Sequence, residues 1–405
     1  MAINEYPNAK YLIINALNSI SFSRLKVARK RFILTILLSF LSIKGRINFL
    51  QLSRFSNNCE QYFRINFENK FNFQRFNLTL ILGLKLKECI VAFDPSYIPK
   101  SGKKTFGIGR YWSGCAKQTK LGLDICGFAV VDVLKKMAFH LNAIQTPPLE
   151  NEALLDYYCR IVKENHLYFK EVSSYLVADA FFSKRKVVDM VLPLGMHFIS
   201  RLRDDAVLQY IYQGETTGKK GRPKKYDGKV NPYLLDMNYF SEGLLTTDMK
   251  IYSAIVYCKA FDRNINLSVT VFYKDGKETA RKLYFSTDLE MKAEKITSYY
   301  RSRFQIEFIY RDAKQYCGLT NCQARSENKL NFHFNAALTA VNIAKIEWLS
   351  TKKAQVEQFS MSDYKTMYNN ELMLNTFIRK FGINPNSKKN IQIINELRLW
   401  GTIAA

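Results

Sequence analysis

Four side chains in the C-terminal half have types and spacing suited to handling a phosphate group. Tyr300, Arg303, Glu307 and Lys314 lie at offsets of 0, 3, 7 and 14 residues. At about 100° per residue, one helix would carry all four along one stripe. A carboxylate can hold a divalent cation, whereas arginine and lysine bind phosphate oxygens. The same spacing also suits an ordinary exposed helix face with an Arg303–Glu307 pair, so the chemistry requires partners elsewhere in the chain.

The element predicted to position this stripe is a single helix from Thr297 to Leu319. The segment contains no proline and is rich in aromatic and long side chains. It ends beside Gly318, and glycine is a typical helix stop. We therefore expect the four side chains to share one face of one continuous helix.

Two upstream aspartates follow short apolar runs that are typical of buried strands. Residues 89–93 are continuously apolar and deliver Asp94 at the carboxyl end, where Pro95 should break the strand. Residues 175–178 deliver Asp179 in the same way. Open α/β sheets place their sites at the carboxyl ends of strands, although an aspartate before proline is also a common turn cap. The sequence predicts that the two strands are neighbours.

The segments around these two strands complete the pattern of an α/β domain. A Gly/Lys-rich loop is predicted at 100–114, strands at 121–133 and 136–146, helices at 150–166 and 183–193, and a strand at 196–200. The helix at 150–166 is expected to begin near Pro147 and Pro148, with Glu150 and Glu152 in its first turn. An apolar helix is predicted from Phe334 to Leu349, packed on the sheet.

Asp94, Asp179 and Glu307, with Tyr300, Arg303 and Lys314 on the stripe, resemble the insertion-sequence DDE transposases that carry a Tyr-Arg-Glu-Lys signature. The resemblance covers roughly residues 88–345. It implies an α/β fold: an RNase H-like mixed sheet flanked by helices and interrupted by a β-rich insertion. An all-α N-terminal domain and a helical C-terminal tail complete the expected architecture.

The expected organisation has five parts. They are a basic helical DNA-binding domain (1–87), the first part of the RNase H-like core (88–201), a β-rich insertion (202–290), the second part of the core (291–349) and a helical C-terminal region (350–405). Apolar β-type runs at 251–260, 266–273 and 281–286 agree with the insertion, and Asp275-Gly276 is a hairpin signal. Residues 382–389 are expected to be a linker between C-terminal helices.

The charge balance favours a polyanionic partner. Lys and Arg number 60 against 35 Asp and Glu, a net charge of +25, and residues 1–85 alone carry +10. Nucleic acid is the leading partner and an acidic membrane surface the second. A helix at about 27–42 and two short helices around Ser56-Asn57-Asn58, the second opened by an Asn cap, have the layout of a helix-turn-helix. The alternative is a small helical bundle with a basic surface.

Two sets of side chains are predicted to contact DNA outside the signature. Arg54, Gln61 and Arg64 are the residues of the helix-turn-helix-like region expected nearest to DNA. The segment Lys219-Lys220-Gly221-Arg222-Pro223-Lys224-Lys225 has a Gly-Arg-Pro core between lysines, which resembles a minor-groove AT-hook. The alternative for this segment is a flexible, solvated basic loop.

The resemblance implies two Mg²⁺ ions, with Mn²⁺ as a substitute, held by Asp94, Asp179 and Glu307. It assigns Tyr300, Arg303 and Lys314 to the phosphates beside the scissile bond. The eight cysteines contain no C-x-x-C, and the four histidines are expected to be structural, which agrees with oxygen ligation.

The implied activity is cut-and-paste transposition by phosphodiester hydrolysis and strand transfer. Its partners would be double-stranded DNA, as terminal inverted repeats and target DNA, and a second copy of the chain on DNA. Excision through a DNA hairpin, with a base flipped from the stack, is also implied. Three departures bear on that step: residues 202–290 contain no Trp, Ala180 stands where Gly is frequent, and Pro95 follows the first Asp where another Asp is frequent.

Three other classes of protein are weighed against this interpretation. One is a non-catalytic DNA-binding descendant of a transposase, which the absence of a carboxylate would favour, but all three carboxylates are present. Another is an RNase H-like nuclease that cleaves without joining, and the insertion argues against it. The third is a cationic structural or membrane-surface protein, which would not need the three carboxylates. The longest apolar run, Phe32–Ile43, has 12 residues, too few to span a bilayer. We expect a cytoplasmic bacterial protein with reduced thiols and no membrane association, located on the nucleoid when bound to DNA.

Overall fold

The fold is a mixed α/β architecture with helices at both ends of the chain. The computed structural model describes residues 8–215, 223–351, 354 and 358–403. Twelve strands form one mixed sheet. This confirms the predicted α/β class with an RNase H-like sheet flanked by helices.

The N-terminal region is helical, as predicted. Its helices are α1 (Ala9–Asn18), α2 (Val27–Ser42), α3 (Phe49–Arg54), α4 (Glu60–Glu68) and α5 (Phe73–Leu82). The bounds of α2 agree with the predicted helix at 27–42. The predicted Asn cap of α4 is wrong: Cys59 is the N-cap and makes no side-chain capping bond. Asn48 instead caps α3, accepting a hydrogen bond from the backbone N–H of Gln51 at 2.9 Å.

The first half of the sheet has the strand order β4-β3-β1-β5-β6, with β2 alongside β3. These strands are β1 (Cys89–Pro99), β2 (Gly109–Ser113), β3 (Gln118–Asp132), β4 (Met137–Gln145), β5 (Tyr175–Val177) and β6 (His197–Arg201). β3 is antiparallel to β1, whereas β5 and β6 run parallel to it. β1 and β5 are therefore neighbours, as predicted. β2 lies inside the predicted loop at 100–114, where its pairing with β3 overrides the Gly- and Lys-rich composition.

The strands of residues 202–290 extend the same sheet. They are β7 (Leu208–Ile211), β8 (Tyr226–Lys229), β9 (Ser241–Leu245), β10 (Met249–Cys258), β11 (Arg263–Lys274) and β12 (Lys277–Ser286). β12 pairs antiparallel with β6, which joins the two halves of the sheet. The predicted hairpin at Asp275-Gly276 is confirmed: both residues have positive φ, 52° and 72°, as a tight turn between twisted strands requires.

The helices after β4 differ from their predicted bounds at several ends. They are α6 (Leu154–Lys170), α7 (Arg185–Val191), α8 (Ala293–Ser302), α9 (Gln305–Tyr316), α10 (Glu327–Leu349), α11 (Met361–Phe381) and α12 (Lys388–Leu399). The prediction that Glu150 and Glu152 open α6 is wrong, because Glu152 precedes the helix and pairs with Arg160. α12 begins at Lys388, inside the predicted linker.

Helix α10 forms the centre of the core on one face of the sheet. It is buried along nearly its whole length and packs against β4 and α2. Buried amides join it to β4: Asn335 donates to the carbonyl of Ala143 at 2.8 Å, and Asn342 donates to that of His140 at 2.6 Å. Hydrogen bonding offsets the cost of burying these polar groups and fixes the helix against the sheet.

Candidate functional site

Asp94 lies in the middle of β1 and not at its end. The prediction that Pro95 breaks the strand is wrong, since β1 continues to Pro99 and pairs with β3 throughout. Pairing between β1 and β5 stops at Ala92, because β5 is only three residues long. Beyond that point β1 has a free edge, where a proline is tolerated. Asp94 therefore lies just beyond the part of β1 that pairs with β5, where no strand of the described residues pairs with that edge of β1.

Asp179 follows β5 and sits at the opening of a short 3₁₀ turn at residues 180–182. Its carboxylate accepts a hydrogen bond from the backbone N–H of Phe181 at 3.0 Å, and its carbonyl accepts one from Ser200 Oγ at 2.9 Å. Burial raises the pKa of Asp179, while the Arg303 guanidinium and the backbone N–H groups of the turn lower it. The hydrogen bond from Phe181 thus orients the carboxylate, which lies within electrostatic range of Arg303.

The segment that carries the signature is two helices and not one. α8 ends at Ser302 and α9 begins at Gln305, so the predicted continuous helix is wrong. Gly318, with φ of 65°, follows α9 as the predicted stop. Because the break falls at Arg303, the stripe calculated for one straight helix does not apply across it. Arg303 instead turns inward, and its side chain is only 12% exposed.

Arg303 connects two of the predicted carboxylates. Its Nη1 donates to Asp94 Oδ1 at 3.0 Å, and its Nη2 donates to Glu307 Oε1 at 3.3 Å. The Nε of the same guanidinium is buried without a hydrogen-bond partner among the described residues. A buried donor without a partner costs desolvation free energy. The described residues therefore leave the guanidinium incompletely hydrogen-bonded.

The electrostatics of Asp94 reflect a cluster of acids. The pKa of Asp94 is raised to about 7, chiefly by burial and also by the neighbouring carboxylates of Glu307 and Asp179, while the Arg303 guanidinium acts to lower it. Asp94, Asp179 and Glu307 therefore lie within electrostatic range of one another around a single guanidinium. A second cation would relieve the repulsion among them.

Tyr300 and Lys314 are both engaged by the protein. The ring of Tyr300 stacks on Tyr284 with centroids 4.7 Å apart. The Nζ of Lys314 donates to Ser96 Oγ and to the carbonyl of Tyr97, both at 3.0 Å. Burial lowers the pKa of Lys314. Lys314 thus anchors α9 to β1 two to three residues beyond Asp94.

Sequence reasoning missed Tyr310, which holds the backbone of Asp94 in position. Its hydroxyl donates to the backbone carbonyl of Asp94 at 2.6 Å. A Cβ added at Gly127 would lie 1.9 Å from that oxygen, so only glycine leaves room for it. The available signal was that Tyr310 lies one helical turn after Glu307 and would share its face.

The other predicted DNA contacts belong to different segments of the chain. On α3 and α4, Arg54 is exposed and donates to Gln51 at 3.3 Å, Gln61 is exposed, and Arg64 pairs with Glu60 and covers the ring of Phe49. Lys224 and Lys225 are exposed, and Lys224 pairs with Asp227. Lys219, Lys220 and Arg222 lie outside the described residues.

A family model described as the transposase DDE domain matches residues 130–343, which is more than half of the chain. The chain belongs to this family. The match contains Asp179, Glu307 and the whole of α9, and it begins after Asp94. A transposase DDE domain implies a metal-dependent nuclease and transposase that acts on DNA. No curated protein matches the chain.

The carboxylates of this transposase fit a divalent metal by their chemistry. Asp94, Asp179 and Glu307 offer the hard oxygen donors that Mg²⁺ prefers, and a metal would offset the burial and repulsion that raise the pKa of Asp94. Among the described residues, no three acidic, imidazole or thiol side chains are already arranged to hold an ion. The guanidinium of Arg303 bridges Asp94 and Glu307 instead.

Within the described ranges, no helix is both long enough and apolar enough to cross a membrane.

Proposed function

We propose that this transposase moves an insertion sequence by cut-and-paste and belongs to the subgroup with the Tyr-Arg-Glu-Lys signature. It would cut the element ends and join them to target DNA. The observation that carries the proposal is the convergence of Asp94 and Glu307 on Arg303, with Asp179 within electrostatic range. These groups come from positions 94, 179 and 307, so chance packing of surface charges is a poor explanation.

Asp94, Asp179 and Glu307 are the proposed metal ligands. Two Mg²⁺ ions, or Mn²⁺ in their place, would supply activation of the attacking hydroxyl and neutralisation of the leaving oxygen. Burial of Asp94 and the hydrogen bond from Tyr310 to its carbonyl hold the first carboxylate in a fixed place. A preorganised ligand loses little free energy to reorganisation when its charge is needed.

Arg303 is proposed to bind the phosphate beside the scissile bond. Its two Nη groups already hold carboxylate oxygens, and a phosphate presents oxygens with a similar spacing. Tyr300 and Lys314 flank Arg303 along the same segment and would contact neighbouring phosphates.

The N-terminal helices are the proposed reader of the terminal inverted repeats. We assign residues 1–87 to a DNA-binding domain, with Arg54, Gln61 and Arg64 nearest to DNA. Residues 88–201 and 291–349 would form the catalytic core, 202–290 an insertion, and 350–405 a helical C-terminal region. The basic segment from Lys219 to Lys225 would lie along the minor groove, where an Arg-Pro unit suits a narrow groove.

Transposition pairs two DNA ends, and we assign the active form to a homodimer on double-stranded DNA. A hairpin-ended excision intermediate would need a Tyr or Phe to stack the flipped base, because residues 202–290 contain no Trp. The proposed setting is the bacterial cytoplasm, on the nucleoid when the protein is bound to DNA.

The test uses a labelled duplex that carries the presumed element end and a supercoiled plasmid as target. Wild type and Glu307→Gln are incubated with both DNAs in Mg²⁺ and, separately, in Ca²⁺. The proposal expects wild type in Mg²⁺ to nick the end and join it to the plasmid, whereas Glu307→Gln binds without doing either. The mobility of the excised end on a denaturing gel reports whether it is a hairpin.

Two results would overturn parts of the proposal. Equal binding with no cutting by either protein at any end tried would mean that the chain is a DNA-binding relic. Cutting without joining would identify a nuclease and remove the transfer step.

A further inference from the structure

A basic cavity lies at the junction of the N-terminal helices with α9 and α11. It is a cavity of about 470 Å³ whose lining includes four cationic side chains and no acidic one. The four cations are Lys44, Arg46, Lys314 and Lys365. Cationic side chains usually have acidic neighbours or open water when they gather in a folded protein. A cavity lined in this way is therefore suited to an anion.

Lys365 is the most informative of the four. Its side chain is almost completely buried on α11, with the residue 5% exposed, and its Nζ donates to the carbonyl of Phe40 at 2.7 Å. No carboxylate pairs with it among the described residues. An ammonium group has three protons to donate, so a single carbonyl leaves it under-satisfied. The pKa of Lys365 is lowered to about 8, chiefly by burial and in smaller part by the charge of Lys44.

Lys44 and Arg46 lie on the short connection between α2 and α3, and both are exposed. The connection is fixed on its far side, because the backbone N–H of Ile47 donates to Asn321 Oδ1 at 3.0 Å. Neither cation forms an ion pair with any described residue. The loop thus places two charges without ion-pair partners at the mouth of the cavity. Because its backbone is already fixed at Ile47, ordering the loop around an anion should cost less conformational entropy.

Lys314 links the cavity to the carboxylate site. It lies seven residues after Glu307 on α9, about 10 Å along the helix at 1.5 Å per residue. Its Nζ reaches Ser96, two residues beyond Asp94 on β1. A DNA strand carries one phosphate for each 3.4 Å of helix axis, so about three nucleotides would span this distance. One strand could occupy both places at once.

We propose that the cavity formed by Lys44, Arg46, Lys314 and Lys365 binds a backbone phosphate of the DNA strand that passes through the carboxylate site. The inference rests on the proposed action on DNA, and it names a contact that couples the N-terminal helices to the catalytic core. Binding here would fix the strand within about three nucleotides of the reacting phosphate. It would also place the N-terminal helices in register with the cleavage point.

The test measures how DNA binding depends on salt in a metal-free buffer. Anisotropy of a labelled duplex gives the binding constant of wild type, of Lys44→Gln/Arg46→Gln, and of Lys365→Met across a KCl series. Lys135→Gln/Lys136→Gln is the matched control, because it removes two exposed charges from the turn between β3 and β4, which contributes no residue to the lining of the cavity. Lys345→Met controls for loss of a buried lysine, since Lys345 donates to the carbonyl of Ala138.

Each lost phosphate contact should flatten the slope of log K against log [salt] by about 0.9. Because the cavity would hold one phosphate, we expect the slope to flatten by at most about 0.9 for Lys44→Gln/Arg46→Gln and for Lys365→Met, and not at all for the two controls. Cavity variants that keep the wild-type slope would overturn the inference. A wild type that binds with the expected slopes but never cuts DNA would leave the cavity intact and refute the proposed function alone. A wild type that cuts DNA while the slopes stay unchanged would refute the cavity alone.

Discussion

The guanidinium of Arg303 lies 3.0 Å from the carboxylate of Asp94, and the two residues are 209 positions apart in the chain. The same guanidinium reaches Glu307 on its own helix. One protein cation therefore contacts two of the three proposed metal ligands. If these carboxylates hold metal as proposed, a metal ion and Arg303 would compete for the same oxygens, and that competition can be measured in the metal-free protein.

Removal of Arg303 should strengthen metal binding by DNA-free protein. Arg303→Gln frees Asp94 and Glu307, and we expect Mn²⁺ to bind about tenfold more tightly, roughly 1.4 kcal/mol, in isothermal titration or by loss of the free Mn²⁺ EPR signal. Cleavage of DNA should nevertheless fall, because the phosphate contact is lost.

Arg301→Gln is the matched control, since Arg301 is exposed on α8 and touches neither carboxylate. Mn²⁺ affinity that is unchanged or weaker in Arg303→Gln would show that Arg303 does not compete with metal.

Tyr310 should act as a positioning residue for Asp94. Tyr310→Phe removes the hydrogen bond to the Asp94 carbonyl and should lower the free energy of unfolding by about 1 kcal/mol. It should also lower the single-turnover cleavage rate at saturating protein, without weakening DNA binding.

Gly127→Ala supplies the complementary test, because its Cβ would collide with the Tyr310 hydroxyl. The damage from Gly127→Ala should be smaller in the Tyr310→Phe background, where that oxygen is absent. Purely additive losses of stability would contradict the proposed contact.

The buried lysines should make stability depend on pH in the alkaline range. Burial lowers the pKa of Lys365 and of Lys345 from 10.5 to about 8, so between pH 8 and 10.5 the unfolded chain binds more protons than the folded one. The stability of wild type should therefore rise across this window, by up to about 3 kcal/mol for each lysine.

Calorimetry of wild type and Lys365→Met at pH 7.5 and 9.5 measures this contribution. The free energy of unfolding of wild type, relative to that of Lys365→Met, should increase from pH 7.5 to pH 9.5. A difference that stays constant with pH would mean that Lys365 keeps its ordinary pKa in the folded state.

Residues of the N-terminal helices should separate into DNA contacts and structural contacts. Arg54→Ala and Gln61→Ala, both at exposed positions, should each weaken binding to the element end by about tenfold, with little change in thermal stability. Arg64→Ala should also weaken binding, but it should differ from the other two by lowering stability by about 1 kcal/mol, because Arg64 pairs with Glu60 and covers Phe49.

Electrophoretic mobility shifts against specific and scrambled duplexes, together with melting curves, distinguish the two classes. Equal losses on both duplexes would mean that Arg54 and Gln61 contact only phosphates.

The sequence predicts the elements of the site better than their exact geometry. The apolar runs before Asp94 and Asp179 predict adjacent strands because buried parallel strands have few polar positions. The end of β1 could not be predicted, since Pro95 is tolerated only because β5 is short and leaves an edge free. That cause lies in another segment of the chain.

The break between α8 and α9 has a similar origin. Residues 302–305 contain neither Gly nor Pro, so no local signal marks the break. The contact of Arg303 with Asp94 is a tertiary one and appears only when β1 and α9 are packed together. For the same reason the roles of Tyr310 and Lys365 could not be read from helical spacing alone.

The measurement that tests the central claim most directly is single-turnover cleavage of a labelled element end by three variants. Asp94→Asn, Asp179→Asn and Glu307→Gln are compared with wild type in Mg²⁺ at protein concentrations that saturate the DNA. Glu290→Gln, which changes an exposed acid in the loop before α8, is the control. The account predicts that each of the three loses about a thousandfold in rate, roughly 4 kcal/mol, with DNA binding retained and the control unaffected. Near-wild-type cleavage by any one of the three would contradict the assignment of that carboxylate and the three-carboxylate site with it.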